Sequence, residues 1–98
     1  VNVLITAATT AEAYQLKNKL GSGDIILGDH LALPELMLKT GKMLQLPNPA
    51  SNAYSHQVLT LCLDRNIGTI YPLRESERLL LEEARQLFEE YGIKIAIP

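Results

Sequence analysis

The chain has 98 residues and a mass of 10.8 kDa, which is one domain or part of one, since domains run from ~50 to ~250 residues. Apolar residues make up 47% and charged residues 20%, which excludes the apolar-poor composition of disorder, and an aromatic share of 5% without Trp requires an aliphatic core. A net charge of −2 with nine scattered basic residues excludes a phosphate-backbone binder, so no nucleic-acid partner is expected.

The single Cys62 excludes an intrachain disulfide framework and a Cys-based metal site. A lone thiol suits a reducing compartment. The opening run Val1-Asn2-Val3-Leu4-Ile5 carries no basic region, and the apolar runs are short and interrupted. Neither a signal peptide nor a membrane span is expected, and the expected location is cytoplasmic. A core of this size leaves no room for a deep, fully enclosed active site.

In chain order, Val3-Leu4-Ile5-Thr6 predicts a buried strand over residues 2–7. After the turn Ala7-Ala8-Thr9-Thr10, Thr9 and Glu12 have capping-box spacing. The helix that follows runs to about Leu20, with Ala13, Leu16 and Leu20 on one face, and Gly21-Ser22-Gly23 stops it. Asp24 to Gly28 is a second strand finishing at Asp29-His30. Pro34 opens a short helix over Glu35-Leu36-Met37-Leu38, which Gly41 breaks. Residues 42–46 are a third strand, stopped by Pro47 and Pro49.

Ser51 or Asn52 caps a longer helix to about Asn66, with Tyr54, Val58, Leu59, Leu61, Cys62 and Leu63 as its apolar stripe. Thr69-Ile70-Tyr71-Pro72 is a fourth strand with Pro72 at its end, because a central strand needs every amide donor. Glu75, Ser76 and Glu77 open a final helix to Tyr91, and acidic residues suit that end of the dipole. Gly92 stops this helix, and residues 93–97 form the last strand, closed by Pro98.

Strands alternating with helices predict an α/β fold with a mostly parallel five-stranded sheet. Right-handed crossovers and neighbour pairing reduce the layouts to a three-layer half-Rossmann unit of strand order 3-2-1-4-5, with helices on both faces. The chain reverses between strands 1 and 4. Ligands of open α/β sheets bind beyond the carboxyl ends at such a switch point. The candidate ligand-binding residues there are Thr9, Thr10, Asp29, Arg74 and Glu75.

Each candidate has a functional and a purely structural reading. The first turn has no glycine where a dinucleotide fold keeps its fingerprint. Its threonines and free amides either meet an anion or serve only to cap, with Ala7 and Ala8 allowing close packing. Asp29 stands where a ribose-binding carboxylate would, or it is a solvated loop residue beside His30. Arg74 either meets a carboxylate or phosphate bidentately, or pairs with Glu75 or Glu77 in its own turn, where Arg78 competes. No nucleophile is paired with His30 or His56, and Cys62 reads as a small buried hydrophobe. Glu82, Glu83, Glu89 and Glu90 form a solvated face with no histidine spaced to share a metal. No catalytic residue and no metal site is expected.

Taken together these phrases resemble a family. They are Val3-Leu4-Ile5-Thr6-Ala7, Ile26-Leu27-Gly28-Asp29, Leu46-Pro47, Asn66-Ile67-Gly68-Thr69-Ile70-Tyr71-Pro72, Arg74-Glu75-Ser76-Glu77 and Tyr91-Gly92-Ile93-Lys94-Ile95. The chain is similar to the N-terminal pre-ATP-grasp domain of carboxylate–amine ligases of the biotin carboxylase and carbamoyl-phosphate synthase large-chain type. The resemblance covers nearly the whole chain, although the first-turn glycines common in the family are missing.

The resemblance implies an accessory domain that is not an enzyme by itself and lines the substrate side of a neighbouring ATP-binding module. ATP and metals would belong to that module, which would follow Pro98 or reside in a partner chain. The alternative function is a stand-alone binding module for a nucleotide or phosphorylated metabolite. Uncovered sheet edges and the apolar stretch 31–38 also predict a homodimer.

Overall fold

The structure is a computed structural model that describes residues 1–21 and 24–97. Among these residues, five strands form one parallel sheet in the order β3-β2-β1-β4-β5, as the alternation of elements predicts. The strands are β1 (Asn2–Ile5), β2 (Ile25–Asp29), β3 (Met43–Gln45), β4 (Ile67–Tyr71) and β5 (Lys94–Ile95). The helices are α1 (Ala11–Leu20), α2 (Glu35–Lys39), α3 (Tyr54–Asp64), α4 (Glu75–Glu83) and α5 (Arg85–Glu90).

β1 lies at the centre because its residues are apolar on both faces. Val3, Leu4 and Ile5 sit opposite Ile25, Ile26 and Leu27 on one side and Thr69, Ile70 and Tyr71 on the other. Successive side chains of a strand point to opposite faces. Leu4, Ile26, Leu44 and Ile70 therefore face one way, into a core closed by Tyr54, Val58 and Cys62 of α3, Leu81 of α4 and Phe88 of α5. Ile5, Leu27 and Met43 face the other way, into a smaller core closed by Ala13 of α1 with Leu16, Met37 and Leu38 packed against it. Gly28 fits this middle layer because a Cβ there would stand 3.0 Å from Leu46 Cγ and 3.1 Å from the Leu44 carbonyl oxygen.

Several local expectations need correction. Thr9 and Glu12 form no capping box: Thr10 occupies the N-cap of α1 without a side-chain cap bond, and the Thr9 hydroxyl donates to Asp29 instead. A buried carboxylate is a stronger acceptor, and a costlier one to leave unmet, than a helix amide is a donor. Leu20 is exposed, since the packed face of α1 runs out before its last turn. Gly21 does end the helix in the left-handed conformation, at φ 64°; the predicted Ser22 and Gly23 of that stop, and Pro98 at the last strand, lie outside the described residues.

Neither Ser51 nor Asn52 caps α3, whose N-cap is Ala53; the Ser51 hydroxyl oxygen instead accepts the Ala53 amide at 3.3 Å, shaping the turn just ahead. The final helix is not continuous. Ala84 leaves helical dihedrals, at φ −96° and ψ 8°, and separates α4 from α5. The Ala84 amide still donates to the Leu80 carbonyl and the Phe88 amide to the Ala84 carbonyl, so backbone bonding continues through the break. Leu63, expected on the apolar stripe of α3, is half exposed, and so is Tyr91 at the end of the final helix.

Candidate functional site at the carboxyl edge of the sheet

Three segments meet beyond the carboxyl ends of β1, β2 and β4. The first turn opens with Thr6, whose hydroxyl oxygen accepts the Leu73 amide at 2.8 Å and so ties the exit of β1 to that of β4. Ala7 follows at φ 57°, in the left-handed region, although it is not glycine and is almost fully buried. Such a conformation costs a non-glycine residue ~1–2 kcal/mol. It is held by two backbone bonds: the Ala8 amide donates to the Gly28 carbonyl at 3.0 Å, and the Thr10 amide to the Ala7 carbonyl at 2.9 Å. The turn therefore adopts at Ala7 a backbone shape for which glycine is usually chosen.

Asp29, at the end of β2, is fully buried and not a solvated loop residue. One carboxylate oxygen accepts the Thr9 amide at 3.1 Å and the Thr9 hydroxyl at 2.8 Å; the other accepts the Leu31 amide at 3.3 Å. Arg74, in the loop between β4 and α4, donates through Nη2 to both oxygens, at 2.9 and 3.2 Å, and to the Thr9 hydroxyl oxygen at 3.2 Å. Burial alone would raise the Asp29 carboxyl, but the bonds from Arg74 and Thr9 outweigh it and hold the group at about 2. His30 Nδ1 lies 3.5 Å from the same carboxylate.

A second buried carboxylate stands on the other side of Arg74. Glu77, in the first turn of α4, is fully buried, and its Oε2 accepts the Tyr54 hydroxyl of α3 at 2.5 Å. Its Oε1 lies 3.8 Å from Arg74 Nε. Burial pushes the Glu77 carboxyl up, opposed by the Tyr54 hydrogen bond and the positive charge of Arg74. Burial likewise pushes up the Tyr54 hydroxyl and, to about 12, the Cys62 thiol, in keeping with Cys62 as a packed hydrophobe.

In front of this cluster is a cleft of about 460 Å³ lined by Ala7, Thr10, His30 and Leu73, with Arg74, Glu75 and Ser76 along the α4 start and Glu12 at the rim. The switch point predicted from topology is thus a real concavity. Thr9, Asp29 and Arg74 come together, largely by bonding one another. Thr10 lines the cleft, but its hydroxyl donates to the Ala7 carbonyl at 2.8 Å. Glu75 lies at the cleft and is 80% exposed, with Arg78 at 3.9 Å. The sequence offers Glu77 as a helix-opening acid and as an ion-pair partner for Arg74 within its turn, and Tyr54 only as an apolar residue. The placement of Glu77 three residues after Arg74 was the available signal, and nothing local marks Tyr54 as its partner. Among the described residues, no three His, Cys, Asp or Glu side chains are grouped to hold a metal ion, and no helix is long and apolar enough to cross a membrane.

A parallel 3-2-1-4-5 sheet with a polar cleft at its switch point defines a Rossmann-like α/β domain. The chain belongs to the PylC-like N-terminal domain family, whose model matches residues 3–96; this is the pre-ATP-grasp N-terminal domain of ATP-grasp ligases. Among solved structures it is similar to a partial consensus L-threonine 3-dehydrogenase and to a GalE-like L-threonine dehydrogenase from Cupriavidus necator in its holo form. Each is 17% identical with a TM-score of 0.59, over 89% of this chain and 34% of the dehydrogenase, so the likeness is one of fold. The chain thus spans about a third of those enzymes' length. No curated protein matches it.

Proposed function

We propose that the chain is an accessory domain whose carboxyl-edge cleft supplies substrate-side surface to an ATP-binding module, either in a partner protein or further along a longer chain. The observation that carries this reading is the family match over residues 3–96, combined with a cleft whose wall includes Arg74. The reading assigns ATP, its metal ions and the phosphoryl chemistry to that module. Thr6-Ala7-Ala8-Thr9-Thr10 is no glycine-rich phosphate loop, and the guanidinium that would meet a phosphate is already engaged by Asp29. Under this proposal Arg74 offers the cleft the donors that Asp29 does not use, with Thr10 and Ser76 hydroxyls beside it.

A photo-crosslinking residue at Ser76, on the cleft, tests the proposal in native extract. A crosslink to an ATP-grasp module, in a partner protein or elsewhere in the full-length chain, is the expected result; efficient crosslinking from the full-length chain that never reaches such a module overturns it. The stand-alone alternative predicts that a nucleotide or sugar phosphate at 100 times its dissociation constant adds about 2.7 kcal/mol of stability, readable as a thermal shift. A proposed homodimer through the open sheet edges predicts twice the 10.8 kDa chain mass by light scattering; a mass of one chain at high concentration overturns it.

A further inference from the structure

Arg74 is gripped unequally on its two edges. Its Nη2 edge is saturated by Asp29 and Thr9. Its Nε is buried and has no hydrogen-bond partner among the described residues, and the same holds for Glu77 Oε1, 3.8 Å away. One orphan is a charged donor and the other a carboxylate oxygen, and they face each other. Leaving either unmet costs far more than the small rotation that would join them. Glu77 is itself tied to α3 through the Tyr54 hydroxyl, and both residues are fully buried, so neither is free to swing toward water.

We infer that Glu77, held in place by Tyr54, is a positioning residue for Arg74: it fixes the Nε edge of the guanidinium as Asp29 and Thr9 fix the Nη2 edge. With both edges fixed, the plane of the group is set, and Nη1, which takes no part in these contacts, is the nitrogen left for a ligand in the cleft that Arg74 lines. A guanidinium oriented in advance loses less freedom when it meets a ligand oxygen than a swinging one. Tyr54, on a helix that contributes nothing to the cleft lining, therefore governs how Arg74 binds there. The ligand half of this inference rests on the proposal that the cleft is a binding surface; the clamp itself does not.

The test reads the Nε–H resonances of the four arginines, Arg65, Arg74, Arg78 and Arg85, in the isotope-labelled chain. The Arg74 proton is expected to exchange with solvent roughly tenfold or more slowly than that of Arg78, as a buried charge-assisted bond requires. Glu77→Leu is expected to remove that protection, and Glu77→Gln, whose amide oxygen can still accept, to retain most of it. Tyr54→Phe keeps the shape of the core and serves if the leucine variant does not fold; it is expected to lose part of the protection. Fast Arg74 exchange in the unaltered chain overturns the clamp. So does unchanged protection in Tyr54→Phe and Glu77→Leu chains whose backbone spectra remain folded.

Titration with sodium acetate, against sodium chloride at equal ionic strength, separates the two ideas. Acetate is expected to shift the Arg74 signal in the unaltered chain, and to need a severalfold higher concentration in Tyr54→Phe. Equal acetate affinity in both chains overturns the positioning role. No acetate response in the unaltered chain counts against the cleft as a binding surface, and the exchange rates then decide the clamp alone.

Discussion

Arg74 Nη2 lies 2.9 Å from Asp29 Oδ2, joining residues 45 positions apart in the chain. The contact bridges the loop after β4 to the end of β2, across the exit of β1, and Thr9 completes it from the first turn. Three separate loops of the switch point are thereby fastened at one carboxylate. The cleft in front of it has a wall fixed by charge-assisted bonds instead of a set of independent loop side chains.

Removing that carboxylate has a large predicted cost. Asp29→Ala leaves the Thr9 and Leu31 amides without their acceptor and Arg74 without its closest counter-charge. Because Arg74 is a quarter exposed, water recovers part of the loss. A destabilisation of about 2–3 kcal/mol is expected from urea unfolding.

The same group fixes an acid transition. The Asp29 carboxyl sits at about 2 when folded and at 3.8 without its partners, so the folded state holds it deprotonated more strongly. Its contribution, about 2 kcal/mol, is fully present above the unfolded value and is lost as pH falls from about 4 to about 2. Unfolding free energies measured across this interval should fall less steeply in Asp29→Asn than in the unaltered chain.

Glu77 has the opposite sign. Burial raises its folded carboxyl above the ordinary 4.5, so the folded state favours the proton. Its contribution to stability is greatest below 4.5 and diminishes as pH rises through the folded value. Tyr54→Phe removes the best partner of the ionised form. Its cost, about 1–2 kcal/mol, should grow with increasing pH over the same range, as read by paired urea titrations.

Gly28→Ala tests the packing of the middle layer. The new methyl would meet Leu46 Cγ, Leu4 Cδ1 and the Leu44 carbonyl oxygen at 3.0–3.1 Å, and the last is backbone of a paired strand. Overpacking of about 1–3 kcal/mol is expected in thermal unfolding.

Ala7 separates strain from space. Ala7→Gly relieves the left-handed strain but loosens the unfolded chain, so the two effects nearly cancel and stability should stay within about 0.5–1 kcal/mol. Ala7→Val places a β-branched residue at φ 57° in a buried turn and should destabilise by more than about 2 kcal/mol. Equal stability of the two variants by calorimetry would contradict the conformation of this turn.

The sequence by itself determined the layers and the strand order. Apolar runs of strand length alternated with amphipathic segments, and apart from the Ala7–Thr10 turn the breaks fell at or near Gly, Pro or Asn, which restrict or free the backbone locally. It also points to the edge of the sheet that carries the cleft, because the switch point follows from strand order alone, and it places Thr9, Asp29 and Arg74 at that edge. Only the tertiary structure decided what they do to one another. Whether an aspartate at a strand end is solvated or buried depends on what two distant loops bring over it, and no local pattern encodes that. The Tyr54–Glu77 bond was hidden for the same reason: a tyrosine on an apolar stripe looks like any core residue until the fold places a carboxylate against its hydroxyl. Periodicity specifies which face of an element is buried, while the partner of a buried polar group is set by long-range geometry.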